Sequence, residues 1–289
     1  MEIQAINHQT IGQRLKSYKR SPLSLVLLLL VSVSALLTVL TLLFLIAYIL
    51  IKGIPYLTPS LFAWEYTTEN VSLMPALVNT IVMTGLSLLI AVPLGIFAAI
   101  YLVEYAKRGN RLVSIVRITA ETLTGIPSIV YGLFGFLLFA VALGWSYTIL
   151  GGAMTLAIMI LPTIIGTTES AMRAVPEQYY EGALALGATH ERSIFTVIIP
   201  AAKSGVIAGI VLGIGRAIGE TMAVVMVAGN QARMPKGITR GVRTLTSNIV
   251  LEMGYAADLH REALIATGVV LFVFILFIVF YKYQFFIIF

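Results

Sequence analysis

The run LSLVLLLLVSVSALLTVLTLLFLIAYILI, from Leu23 to Ile51, contains no charged residue. A helix of about 20 apolar residues is long enough to cross a bilayer, so this run predicts a transmembrane helix. It is too long for the apolar segment of a cleaved signal peptide, which usually has about 7–15 residues. The run therefore places the chain in a membrane, with residues 1–22 as a polar tail before it.

Five more spanning helices are predicted from the other uncharged runs. The run 122–168 is too long for one helix. We divide it at Gly144–Tyr147, because Trp and Tyr favour the membrane interface. The fold class is therefore all-α integral membrane with six transmembrane helices, whose later five are predicted near 78–103 (with Pro93 inside), 127–143, 149–168, 204–230 and 263–281.

The composition agrees with a membrane protein and excludes several kinds of site. Of the 289 residues, 59% are hydrophobic and only 11% are charged, whereas soluble domains carry about 25% charged residues. The chain has no cysteine, which excludes disulfides and thiolate metal sites, and its three histidines lie far apart. No cofactor or metal is expected. The net charge of +6 fits the Lys and Arg of cytoplasmic loops better than it fits nucleic-acid binding.

The distribution of Lys and Arg predicts that both termini are cytoplasmic. The N-terminal tail, the loop after the second span and the loop 169–203 are basic, and basic loops usually remain on the cytoplasmic side. The stretch 231–261 is the exception. Its Arg233, Arg240 and Arg243 form either a solvated basic loop or a partly re-entrant lining that attracts anions.

A short amphipathic helix is predicted over residues 111–124, before the third span. Arg117 and Glu121 lie four residues apart there, at the spacing of an i,i+4 ion pair. The sequence Gly125-Ile126-Pro127-Ser128 then breaks the chain, with Ser128 as the expected cap of the third span.

The loop between the fourth and fifth spans has the pattern of a helical hairpin. Pro176 suits the start of a helix and Gly187 suits its end. A second helical stretch, 190–199, runs into Pro200. The first helix has an apolar face, and apolar patches of this kind usually contact a partner.

This loop resembles the EAA loop of ABC importer permeases. Glu181-Gly182-Ala183 is followed after three residues by Gly187, and after twelve more by Pro200, which is the spacing of that family. The resemblance implies a coupling helix, within an EAA loop at 177–200, that docks on a separate ATPase subunit. The chain contains no G-x-x-x-x-G-K-[ST] motif, which would bind nucleotide phosphates, so ATP hydrolysis is expected on the partner and this chain is not an enzyme.

Two further motifs are similar to those of phosphate-specific permeases. They are Arg216-Ala217-Ile218-Gly219-Glu220-Thr221-Met222-Ala223-Val224 and Gly125-Ile126-Pro127-Ser128-Ile129-Val130-Tyr131-Gly132. The first motif resembles the PstC-type subunit more than its PstA-type sister. The sequence of the second span is compatible with either type of subunit. The resemblance implies that the first transmembrane helix, at 23–52, is followed by a permease core at 75–285. It also implies that the protein lies in the cell membrane. The implied partners are a sister permease in a heterodimer, an ATPase dimer and an extracytoplasmic phosphate-binding protein.

Two alternatives to phosphate import remain from the sequence. The first is an ABC permease for another oxyanion, such as sulfate or molybdate. The second is a secondary transporter that works alone. Such a transporter would not need the EAA-type loop.

The fifth span carries the residues that we expect in the transport pathway. Arg216 and Glu220 lie four residues apart in the apolar stretch 204–230, where a lone charge is costly. On one continuous helix they would form an ion pair, which is either a structural salt bridge or a site where a passing anion competes for Arg216. Glycines at 205, 209 and 213 of the same span predict a face that packs closely on a neighbouring helix.

Overall fold

The computed structural model describes residues 22–106 and 109–288, and every regular element in these ranges is helical. The predicted N-terminal tail, apart from Pro22, lies outside the described residues, as do Lys107 and Arg108. The chain divides into two units, 1–51 and 52–289. The described part of the first unit is the helix that begins at Pro22.

Eleven α-helices are present in the described ranges. They are α1 Pro22–Gly53, α2 Met74–Ile100, α3 Arg111–Thr124, α4 Ser128–Gly135, α5 Ile149–Arg173, α6 Glu177–Ala185, α7 His190–Ser193, α8 Ile199–Gly219, α9 Met222–Ala228, α10 Leu245–Glu252 and α11 Asp258–Ile288. Segments of π-helix extend α2 over Tyr101–Tyr105 and α4 over Phe136–Ala142, and join α7 to α8 over Ile194–Ile198. Two short 3₁₀ helices, Ile54–Tyr56 and Pro59–Phe62, follow α1.

Five helical segments in the described residues are long and apolar enough to cross a membrane. They are Leu23–Tyr56, Met74–Tyr105, Ile149–Arg173, His190–Gly219 and Asp258–Phe280. A sixth candidate is the pair Val113–Thr124 and Ser128–Ala142, which is bent by 105° at its break. The predicted all-helical membrane fold is confirmed, and six spans are obtained when the bent pair is taken as one.

The structure corrects several of the predicted boundaries. The continuous helical segment that carries the fifth span runs from His190 to Gly219, and the chain then breaks before Met222–Ala228, so the predicted range 204–230 is not one helix. Pro200 does not end the second helical stretch of the hairpin, because the wider π-helical turn Ile194–Ile198 directly precedes it. In a regular α-helix the ring of a proline at position 200 would clash with the carbonyl of residue 196. The wider turn includes residue 196 and so relieves this clash. Pro127 occupies the N-cap position of α4 without a side-chain hydrogen bond, and Ser128 is already inside the helix.

The predicted glycine face of the fifth span is confirmed. A Cβ atom added to Gly205 would lie 2.3 Å from Cβ of Ala171, and one added to Gly209 would lie 3.0 Å from Cβ of Thr167. Both neighbours belong to α5, so α8 and α5 approach at a distance that larger side chains would prevent. Gly213 continues this face, where its added Cβ would lie 3.4 Å from Ile164.

Candidate translocation path and coupling loop

The apolar fifth span is interrupted at Glu220. Helix α8 ends at Gly219, Glu220 has extended backbone angles (φ −70°, ψ 133°), and α9 begins at Met222. Backbone without regular hydrogen bonds occurs at membrane depth only where it is buried in protein or lines a water-filled cavity. The break therefore marks this part of α8 and α9 as a candidate lining of the translocation path.

The expected ion pair between Arg216 and Glu220 is absent from the described structure. The helix ends between them, so the i,i+4 geometry that we predicted does not form. Glu220 instead accepts a hydrogen bond at Oε1 from the backbone N–H of Ala223, at 3.1 Å, and caps the first turn of α9. Arg216 donates from Nη1 to Oγ1 of Thr163 at 3.4 Å. Among the described ion pairs, none includes Arg216.

A second broken helix packs against the first. The short helix α3 is followed by the predicted break at 125–127 and then by α4, and Tyr131 of α4 donates its hydroxyl to the carbonyl of Leu123 at 2.7 Å. A Cβ atom added to Gly132 would lie 2.8 Å from Cα of Ala223 on α9. Glycine thus lets the two half-helices α4 and α9 touch through their backbones, beside the break at Glu220.

The segment after α9 is tied to this break and to α2. Thr246 of α10 donates its hydroxyl to the carbonyl of Glu220 at 2.7 Å. Thr80 of α2 accepts at Oγ1 from the backbone N–H of Leu245 at 3.0 Å, and the Asn79 side-chain amide donates to the carbonyls of Arg233 and Arg243. Residues 241–248 are buried and residues 236–240 are exposed, so only the later part of this segment is packed into the protein.

The three arginines of this segment have different surroundings. Arg243 is only 6% exposed, donates to Oδ1 of Asn248 at 2.7 Å and pairs with Glu252 at 2.8 Å. Arg233 donates to the carbonyl of Gly241, while Arg240 is exposed. The contacts of Arg233 and Arg243 favour a structural role over the predicted attraction of anions. The Glu252 carboxylate also raises the pKa of Tyr255 above its ordinary value through a hydrogen bond.

Charged residues meet near the C-terminal end of α5. Arg117 of α3 pairs with Glu169 at 2.7 Å, so the predicted Arg117–Glu121 pair is wrong. Glu169 is only 8% exposed, whereas Glu121 is exposed. A buried carboxylate is costly without a cation, which explains why Arg117 contacts the distant residue. The sequence offers one signal for this site, since Arg173 follows Glu169 at the i,i+4 spacing and also binds it.

The EAA-type loop forms the predicted helical hairpin. Helix α6 begins after Pro176 and ends before Gly187, which has φ of +86°. The N–H of Gly187 donates to the carbonyl of Leu184, and that of Ala188 to the carbonyl of Ala183. These two bonds form a Schellman motif, in which glycine is preferred because its left-handed conformation is costly for other residues.

The surface of α6 is suited to a partner. Leu186 is 92% exposed, and Tyr179 and Leu184 are exposed as well. Glu181 and Gly182 are also exposed, Ala183 is partly buried, and Pro200 lies in the first turn of α8. Tyr180 points the other way, where its hydroxyl lies 2.8 Å from Nδ1 of His190, and this contact fixes α6 to α7.

The family model for the inner membrane component of binding-protein-dependent transport systems matches residues 91–286. This chain belongs to that family. The matched range contains the broken helices, the hairpin and the α5–α8 interface, so the geometry described above lies within the family's shared part. Members of the family are multi-pass membrane subunits, in agreement with the apolar helices.

Curated relatives include phosphate permeases. The chain is 36% identical over 192 residues to the probable ABC transporter permease protein YqgI of Bacillus subtilis, covering 64% of this chain and 63% of YqgI. It is 34% identical over 247 residues to the phosphate transport system permease protein PstC of Mesorhizobium japonicum, covering 76% and 74%. It is 36% identical over 154 residues to PstA 1 of Mycobacterium tuberculosis strain CDC 1551, covering 53% and 50%.

A solved structure shares the fold. A chain of the bacterial alginate ABC transporter, crystallised with its alginate-bound periplasmic protein, superposes with a TM-score of 0.64 at 17% identity, covering 92% of this chain and 94% of that chain. At this identity the similarity extends to the fold alone. It supports the fold of an ABC importer permease.

Proposed function

We propose that this chain is a permease subunit of an ABC importer for inorganic phosphate in the cytoplasmic membrane. The observation that carries the anion part of the proposal is Arg216, a permanent cation beside the broken helix with no carboxylate paired to it in the described residues. Arg216 contacts Thr163 near the middle of α5, a helix long and apolar enough to cross a membrane, and this supports a position for Arg216 within the bilayer. The planar fork of Arg suits phosphate oxygens.

The relatives support phosphate as the cargo and PstC as the type of subunit. The PstC relative matches a longer stretch of this chain than the PstA relative does, at 247 against 154 residues. By this proposal the chain pairs with a PstA-type sister. The two permeases would contact an ATPase dimer on one side of the membrane and a phosphate-binding protein on the other.

The coupling element would consist of five residues of the hairpin, which are Glu181, Gly182, Ala183, Gly187 and Pro200. The exposed apolar side chains of α6 favour docking into a groove of the ATPase. ATP hydrolysis takes place on that partner, since this chain contains no phosphate-binding loop motif. The exposed Arg240 is the best placed of the three outer arginines to attract an incoming anion.

Uptake of radiolabelled phosphate tests the cargo. In cells that lack other phosphate uptake systems, we expect uptake to require this chain, its sister, the ATPase and the binding protein together. Excess unlabelled phosphate should compete, while excess sulfate or molybdate should not. Competition by sulfate or molybdate would identify another oxyanion as cargo, and uptake that persists without the ATPase would indicate a secondary transporter.

Labelling of single cysteines tests the proposed orientation. Glu191 lies in the hairpin and Thr239 in the segment after α9, and both are exposed. If the termini are cytoplasmic, a membrane-impermeant thiol reagent should label Glu191→Cys only in inverted vesicles and Thr239→Cys only in intact cells. The chain has no native cysteine, so the unsubstituted protein is the background control. Labelling of both positions from the same side would contradict the proposed topology.

A further inference from the structure

Two arginines at the end of α5 share one carboxylate oxygen. Glu169 accepts at Oε1 from Nη2 of Arg117 at 2.7 Å and from Nε of Arg173 at 3.0 Å. One carboxylate neutralises one of two guanidinium groups, so this cluster has a net charge of +1. In addition, the Nε of Arg117 is buried without a hydrogen-bond partner. The three side chains thus have an excess guanidinium group and an unsatisfied donor, while the exposed Glu121 also lines the adjoining cavity. A further oxyanion would supply an acceptor for that donor.

The cluster lies beside a cavity whose lining includes a contact residue of Arg216. Arg117 and Arg173 line a cavity of 370 Å³ that also reaches Thr163, the residue that Arg216 contacts. Thr163 and Glu169 are six residues apart on α5, which corresponds to about 9 Å along the helix. The same two arginines line a second cavity, of 890 Å³, that extends to Pro176 and Tyr180 at the coupling helix.

We propose that Arg117 and Arg173 form a second oxyanion site, which the transported anion occupies after it leaves Arg216. This inference rests on the proposed anion import. In the unloaded state Glu169 holds both guanidinium groups. An arriving oxyanion takes over part of their hydrogen bonds, and Glu169 displaces it again as it leaves.

The surroundings of the site favour weak, transient binding. Glu169 competes for the same donors, and the two cavities are also lined by Glu104, Glu121 and Glu177, with Arg111 as one further cation. These negative charges oppose an anion that stays. Transport through a pathway requires sites that attract the cargo enough for it to enter and yet release it readily, and a site of this composition meets both needs.

A cysteine in the smaller cavity tests the proposal without transport. Ser170 lines that cavity and is exposed. We would purify the Ser170→Cys complex, with its sister permease and ATPase, in nanodiscs of phosphatidylcholine. The labelling rates of an anionic and a neutral thiosulfonate reagent of similar size are then compared. We expect the anionic reagent to react on the order of tenfold faster, because the arginines raise its local concentration, and we expect tens of millimolar inorganic phosphate to suppress this preference.

Matched variants identify the source of the effect. Ser204→Cys lies in a cavity of 330 Å³ whose lining residues carry no charge, and it should show neither the preference nor protection by phosphate. Adding Arg173→Gln or Arg117→Gln to Ser170→Cys should remove the preference, and adding Glu169→Gln should strengthen protection by phosphate. Arg173 is the more exposed of the two arginines, so its variant still reports if Arg117→Gln does not assemble.

The labelling results distinguish an inner site for the cargo from a site for a lipid headgroup. Equal labelling by both reagents, or a preference that phosphate does not reduce, would overturn the proposal. A preference that disappears when anionic lipid is added to the nanodiscs would assign the cluster to a lipid headgroup and would also overturn it. Protection by sulfate but not by phosphate would retain the inner site while contradicting phosphate as the cargo.

Discussion

The Arg216→Gln variant is expected to assemble normally and to lose phosphate uptake almost completely. Gln can keep the hydrogen bond to Thr163 but has neither the charge nor the fork that binds an oxyanion. A charge-assisted hydrogen bond contributes about 1.5–3 kcal/mol, so losing one slows transport by roughly tenfold to a hundredfold. The measurement is initial uptake of labelled phosphate at matched levels of assembled complex.

Two control variants show whether charge or packing is responsible. Arg216→Lys retains the charge without the fork and should have intermediate uptake. Thr163→Val removes the hydroxyl that accepts from Arg216 and keeps the cation, so its effect should be small. If Arg216→Gln transports phosphate as well as the unsubstituted protein does, Arg216 is not part of the anion path.

The broken helix changes what is expected of Glu220. Glu220→Gln keeps an acceptor for the N–H of Ala223, so the cap and the fold should survive. Any loss of uptake in this variant would then come from the missing negative charge near Arg216. Arg216 and Glu220 are therefore tested separately by single substitutions, since they do not lie on one continuous helix.

The spanning helices and the glycine face could be predicted from sequence because both depend on side-chain type along one helix. Apolar runs predict burial in lipid, and glycines four residues apart predict close packing. Hydropathy could not reveal the break at Glu220, since Met222–Ala228 is as apolar as the helix before it. The interruption depends on tertiary contacts, such as the bond from Thr246 to the Glu220 carbonyl.

The ion pairs were predicted poorly for a related reason. The i,i+4 rule compares neighbours on one helix, and it correctly applies to Glu169 and Arg173. Two carboxylates could pair with Arg117. Leaving the buried Glu169 without a cation costs more free energy than leaving the exposed Glu121 without one. Which carboxylate becomes buried is decided by how α3 packs on α5, and that packing is not visible in a local pattern.

The Gly187→Val variant should insert and assemble but lose the stimulation of ATP hydrolysis by phosphate-loaded binding protein. Gly187 has φ of +86°, a conformation that costs a non-glycine residue about 1–2 kcal/mol, and β-branching raises that cost. Space is not the obstacle, because a Cβ atom added there meets nothing within 4 Å. The strain is relieved when the turn after α6 rearranges, and that rearrangement reorients the exposed face that docks on the ATPase.

Variants of the same hairpin provide the controls for this prediction. Gly182→Ala lies within α6 and also has no neighbour within 4 Å of the added Cβ, so it should retain full stimulation. Gly187→Asn should keep much of it, since Asn tolerates the left-handed region better than other residues do. Leu186→Gln leaves the turn intact and removes an exposed apolar contact, so it should weaken docking to the ATPase. Full stimulation in Gly187→Val, with basal hydrolysis and assembly unchanged, would mean that the turn does not orient the coupling helix.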